Sequence, residues 1–256
     1  MKVLTIGDIV GKTGLQKLKE VLPSIIKENE IDFVIVNGEN AADGMGITEK
    51  MYREILALNV NVVTMGNHTW GKKEIFNFID DKQIIRPANY SKNNPGRGYD
   101  IYECKGKKVG VINLIGRTSM TVLSENPFTV AKEIVAKLKG KVDIIIIDFH
   151  AEATAEKIAL GYFLDGEITI LFGTHTHVQT ADETILEKGT AYITDIGMTG
   201  PSKSVIGMDV SASIKRFETS LPEKYKIAEG KAKFNSCLFE IDDKTNKVIK
   251  ITRINK

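Results

Sequence analysis

Asp8, Glu39, Asn40, Asn67, His68, His150, His175 and His177 are carboxylates, carboxamides and imidazoles that follow short apolar runs in this 256-residue chain. The runs end as TIGD, IVNGEN, TMGNH, IIIIDFH and ILFGTHTH. The chain has four histidines, and every one lies at such an end. Histidines kept only for packing would have no reason to avoid helices and hairpins. Mixed imidazole, carboxylate and carboxamide donors suit borderline divalent ions such as Mn, Fe, Zn or Co. The parts for other nucleophilic chemistry are missing: there is no serine elbow, and neither Cys104 nor Cys237 has a histidine nearby in sequence. The stretch TIGDIVGKTGLQ looks at first like a phosphate-cradling loop. Gly7 and Gly11 enclose three residues where a P-loop needs four, so Asp8 has another use.

The elements that must deliver these groups are legible as alternating short and long segments. KVLTIG (2–7) precedes LQKLKEVLPSIIKEN (15–29), whose apolar positions have helical spacing. FVIVN (33–37) precedes a helix pattern over 48–59, with Thr48 as its N-cap. VNVVTMG (60–66) precedes KKEIFNFID, and DIIIIDF (143–149) and EITILFG (167–173) flank AEATAEKIALGYFLD. Continuous apolar runs predict strands covered on both faces, as in a sheet with helices against it. Three further stretches, 98–116, 183–197 and 237–254, read as antiparallel hairpins. The segment from Pro201 to about Lys233 reads as a helix plus a loop. With no linker and no internal repeat, the expectation is one layered α/β domain over 1–256 with mixed sheets. Open α/β sheets place ligands at the carboxyl ends of their strands, so strands sharing a direction would bring the polar ends into one crevice.

Composition narrows the rest. A net charge of +2, from 35 basic and 33 acidic residues, supplies no field for nucleic acid or membrane surface. The two cysteines form no Cys-x-x-Cys pair, which leaves two buried free thiols in a reducing compartment. No apolar stretch nears the ~20 residues of a membrane span. MKVLTIGD offers too short an apolar run for a signal-peptide core. A cytoplasmic location is expected.

The ordered set of Asp8, Glu39-Asn40, Gly66-Asn67-His68, His150 and Gly173-Thr174-His175-Thr176-His177 resembles the calcineurin-like dimetal phosphoesterases. Where that superfamily has Asp-x-His, this chain has Asp8-Ile9-Val10, and where it has Gly-Asp, this chain has Gly38-Glu39-Asn40. Both departures, with VNGENAADGMGIT and DIGMTGP, resemble the YmdB-like branch over the full length. The resemblance implies an α/β–β/α sandwich and two divalent ions, Fe or Mn. One ion would take Asp8, Glu39, Asn40 and His177, with Asn40 replacing the missing histidine. The other would take Glu39, Asn67, His150 and His175, with Glu39 bridging. Two dications offset by Asp8 and Glu39 alone leave about two positive charges in excess, which favours a phosphate anion. An ion-bridging hydroxide would then attack phosphorus in line with the leaving oxygen. His68, left over, would stabilise charge or protonate the leaving group.

The implied activity is hydrolysis of phosphodiesters, 2′,3′-cyclic nucleotides foremost and 3′,5′-cyclic ones beside them. A phosphomonoesterase or nucleotidase on the same site is the alternative, and a non-catalytic nucleotide-binding regulator the rival from another class. Asn89, Arg117 and Thr199 are the candidate substrate contacts. The expected partner is a small phosphodiester, with room for a homo-oligomer.

Overall fold

A computed structural model describes residues 1–224 and 226–256; Tyr225, inside the expected helix-plus-loop segment, lies outside the described residues. Two six-stranded sheets are packed face to face. In spatial order the first holds Val248–Asn255, Asn235–Ile241, Lys2–Ile6, Phe33–Asn37, Val62–Thr64 and Ile84–Ile85. The second holds Thr184–Ile185, Ala191–Ile193, Ile170–Thr174, Ile144–His150, Lys107–Ile115 and Tyr99–Cys104. In each, the central strands run parallel; an antiparallel hairpin closes one edge of the first sheet, and antiparallel pairs close both edges of the second.

Alternation along the strands explains the layers. Val3, Phe33, Ile35 and Val62 meet Val109, Val111, Ile144 and Ile146 in an apolar interface between the sheets. Their neighbours Leu4, Val34 and Val36 face the other way, onto Leu15, Leu18, Leu22 and Ile25 of the helix Gly11–Asn29. In the second sheet, Ile112, Leu114, Ile145 and Ile147 pack on Ile134 and Leu138 of the helix Pro127–Leu138 and on Leu160 of the helix Thr154–Phe163. A strand with helices on one face and a second sheet on the other must be apolar throughout, which is why these runs do not alternate with polar residues. The result is the expected α/β–β/α sandwich.

Local signals set the boundaries. Thr48 accepts a hydrogen bond from Met51 N at 3.3 Å and starts the helix Glu49–Leu56. The stretch KKEIFNFID forms only a 3₁₀ turn, Lys73–Asn77. The expected hairpin over 183–197 shrinks to two residue pairs. Its inner strand, Ala191–Ile193, instead joins Ile170–Thr174 in parallel, and Asp182 accepts from the Thr194 amide. Between Pro201 and Lys233 the described residues form a helix, Val210–Thr219, flanked by loops. Cys237 is buried, whereas Cys104 is only half-buried, its thiol donating to the Asp32 carbonyl.

A third, small sheet ties the ends of the first two. Asp8–Ile9 runs parallel to Met198–Thr199, and the rest of that strand, Gly200–Pro201, pairs antiparallel with Ala232–Lys233. Gly7 is required by this close approach, since a β-carbon there would lie 2.5 Å from the Gly197 carbonyl carbon. Gly11 serves differently, through its positive φ of 64°.

Candidate metal centre

The parallel strands deliver their carboxyl ends to one place. Asp8 follows Lys2–Ile6, Glu39 and Asn40 follow Phe33–Asn37, and Asn67 and His68 follow Val62–Thr64. From the facing sheet, His150 ends its strand and His175 and His177 follow Ile170–Thr174. Asp8, Glu39 and His150 are fully buried.

His150 Nε2 lies 2.9 Å from Glu39 Oε1, 2.9 Å from Asn67 Oδ1 and 3.0 Å from His175 Nδ1. One ring proton can satisfy only one of these three neighbours; the remaining lone pairs converge on the same small space. A divalent ion is the group such a set accepts. Glu39, His150 and His175 together offer ligand atoms all within 4.8 Å of one another. Beside them, His177 Nε2 lies 3.5 Å from Asp8 Oδ1 and 3.2 Å from Asn40 Nδ2, and that amide is 3.3 Å from Glu39 Oε1. Glu39 therefore stands between two donor groups. Asn40 as placed turns its Nδ2 to Asp8 and its Oδ1 to His68 Nδ1, 2.9 Å away. To ligate through oxygen, the amide must turn over, a change that preserves its shape.

The electrostatics point the same way. Burial opposes charge on Glu39, yet the facing His150 outweighs it and holds the carboxyl below its ordinary range. Burial likewise opposes a cationic His150, but Glu39 lifts that ring to about 9. Burial also works against ionised Asp8, and His177 then holds it low. His175, by contrast, is pushed down to about 3 by burial and by its neighbour His150. These carboxylates are built to face positive charge.

Several supporting groups escaped the sequence reading. His150 Nδ1 is 2.9 Å from Thr174 Oγ1, and that hydroxyl donates to Asp148 Oδ1 at 2.7 Å. The chain of bonds places the His150 proton on Nδ1 and frees Nε2. Asp148 also accepts from Thr64 and is raised to about 6 by burial. His177 Nδ1 donates to the Ile206 carbonyl at 2.8 Å, which frees its Nε2. His175 and His177 both have left-handed backbones, φ 98° and 63°, a strained arrangement that surroundings must enforce. A buried ion pair does so. Lys157 Nζ donates to Thr174 O and to Asp195 Oδ2, both at 2.8 Å, and Asp195 accepts from the Thr176 amide and hydroxyl. The signal in sequence was an acid inside an apolar run, as in IIIIDF and ITDIG.

Two of the three candidate substrate contacts are corrected. Asn89 is fully buried, and its amide ties Ile115 O, Ile115 N and Glu125 O together. Thr199 is fully buried on a strand of the small sheet. Neither presents its side chain to an incoming molecule. Arg117 is exposed, just past the strand that pairs with His150.

Comparison with known proteins identifies the family. The family model described as YmdB-like protein matches residues 4–254. A 2′,3′-cyclic-nucleotide 2′-phosphodiesterase of Bacillus subtilis (strain 168) is 50% identical over 99% of this chain and 96% of its own length. The crystal structure of a phosphatase of Mycoplasma pneumoniae superposes with a TM-score of 0.95 at 39% identity, covering 100% of this chain and 93% of that one. A 5′-nucleotidase precursor of Thermus thermophilus shares the fold at a TM-score of 0.60 and 12% identity, over 100% of this chain and 54% of its own. By this full-length similarity the chain belongs to the YmdB-like family, and its sandwich fold is the one those relatives share.

Proposed function

We propose that this phosphoesterase hydrolyses 2′,3′-cyclic nucleotides at the 2′ ester, using two divalent cations, iron or manganese. One would be held by Asp8, Glu39, Asn40 and His177, the other by Glu39, Asn67, His150 and His175. The observation that carries the reading is the crowding of lone pairs around His150 Nε2, which protons alone cannot satisfy. The name of the half-identical Bacillus relative supports the substrate class. When bound, the cations would activate water and screen the charge on phosphate.

The chain's own residues then have separable tasks. Glu39 keeps the two donor groups in register, its Oε2 accepting from the His68 amide at 2.9 Å. Tyr90 donates to Gly66 O at 3.1 Å and steadies the turn that carries Asn67 and His68. His68 is part-exposed, and among the described residues its Nε2 has no hydrogen-bond partner. Once the Asn40 amide has turned over to ligate through oxygen, its Nδ2 donates to His68 Nδ1, and the ring proton sits on Nε2. The ring would deliver that proton to the departing 2′ oxygen.

The test is a substrate panel on the Mn²⁺-loaded protein. It comprises 2′,3′-cyclic AMP, 3′,5′-cyclic AMP, linear dinucleotides, and bis-p-nitrophenyl against p-nitrophenyl phosphate. The expected result is a nucleoside 3′-monophosphate from the 2′,3′-cyclic substrate and preference for the diester. Preference for monoesters would replace this reading with a nucleotidase. Bound metal without hydrolysis of any compound would replace it with a regulator.

A further inference from the structure

His175 is engaged at both ring nitrogens. Nδ1 lies 3.0 Å from His150 Nε2, among the converging lone pairs, while Nε2 lies 3.0 Å from Glu152 Oε2. Glu152 sits two residues beyond His150, where the strand Ile144–His150 gives way to the loop before the helix Thr154–Phe163. An imidazole that faces a carboxylate keeps its proton on that side, and the opposite nitrogen is then a lone pair. We propose that Glu152 is a positioning residue that locks His175 in the Nε2–H tautomer and so presents Nδ1 as a ligand. The inference rests on the metal reading above.

Three features of the site make this more than a chance ion pair. First, His175 ligates from the opposite nitrogen to its neighbours: His150 and His177 expose Nε2 because Thr174 and Ile206 hold their Nδ1 atoms. A change of tautomer at His175 would put a proton on Nδ1 and remove the lone pair that a cation needs there. Second, the Lys157–Asp195 pair and the Asp8 carboxylate hold the backbone at Thr174, His175 and Thr176, but none of these contacts reaches the His175 ring. The ring therefore depends on side-chain partners for its orientation. Third, Glu152 has no lysine or arginine within ion-pair distance among the described residues, so the imidazole N–H is its one side-chain partner among them. Its side chain is 50% exposed, so removing it leaves no cavity in the core.

The experiment compares wild type, Glu152→Gln and Glu152→Ala as full-length protein, stripped of metal and then titrated with Mn²⁺. Long-range ¹H–¹⁵N spectra of the metal-free protein report which His175 nitrogen carries the proton, and calorimetry reports Mn²⁺ affinity. Wild type is expected to show Nε2–H. Glu152→Gln keeps an acceptor oxygen and should keep that tautomer. Glu152→Ala should give a tautomer mixture and bind one Mn²⁺ about 10–100-fold more weakly, with its melting temperature unchanged. Wild-type affinity and an unchanged tautomer in Glu152→Ala would overturn this inference alone. A wild-type protein that takes up no Mn²⁺ would overturn the metal reading and this inference with it.

Discussion

Gly66 is the position where a single methyl group separates fold from site. A β-carbon on it would lie 2.5 Å from His150 Nε2 and closer still to Glu39 Oε2. Non-bonded contacts settle near ~3.5 Å, so in Gly66→Ala the ring nitrogen must retreat by about 1 Å. Glu39 must move as well, although its carboxylate is held by His150 and by the His68 amide. Metal-ligand distances tolerate shifts of only about 0.2 Å. A displacement near 1 Å in a catalytic arrangement costs about 10²-fold in rate, or ~2.7 kcal/mol. The backbone does not object, because Gly66 is not among the positive-φ residues. Reduced freedom of the unfolded chain even favours alanine by ~0.4–1 kcal/mol where the native conformation permits it. Gly66→Ala should therefore melt near the wild-type temperature yet lose Mn²⁺ binding by calorimetry and roughly 10²-fold in bis-p-nitrophenyl phosphate hydrolysis. Gly7→Ala is the contrast, since its β-carbon meets the Gly197 backbone and has no side chain to displace; it should fail to fold. Wild-type Mn²⁺ affinity in Gly66→Ala would refute the argument that these two donors share one ion.

Other outcomes follow from the same geometry. His68→Ala should keep both metal ions, measured by elemental analysis, while turnover falls 10²–10⁴-fold. Saturating Mn²⁺ at about a hundred times its dissociation constant should stabilise the protein by ~2.7 kcal/mol per site, and chelation should reverse the gain in a thermal melt. Lys157→Met leaves Asp195 buried without its cation and should cost ~3–5 kcal/mol, read by urea unfolding. In Asp148→Asn, an amide placed with its oxygen toward Thr64 points its NH₂ at Thr174, whose hydroxyl must then donate to His150 Nδ1. That moves the His150 proton to Nε2 and should weaken Mn²⁺ binding about 10–100-fold by calorimetry.

The site was legible because its donors stop apolar runs. Glu39 after FVIVN, His150 after IIIID and His175 after ILFG are each set by a strand buried on both faces, and strand ends can be counted along a chain. What supports the donors was not legible. Asp148 meets Thr64 across 84 residues and Lys157 meets Asp195 across 38, and no local pattern encodes such pairings. Asn89 and Thr199 misled for a related reason. A polar residue in a loop-like context reads as available, whereas Asn89 is consumed by backbone groups and Thr199 is covered by the small sheet. The left-handed turns at His175 and His177 were equally hidden, since histidine carries no mark of the glycine-like backbone it adopts there.

The place of the first strand constrains how the protein comes into being. Lys2–Ile6 lies between Phe33–Asn37 and Asn235–Ile241, with Lys2 opposite Glu240. One side of that strand can be paired as soon as Phe33–Asn37 is made, but the other stays bare until Asn235–Ile241 has left the ribosome. Assembly thus ends with a contact between segments far apart in sequence, the slow kind, and the nascent chain meanwhile offers a sticky edge to its neighbours. Asp8, two residues past that strand, takes its final place only with it.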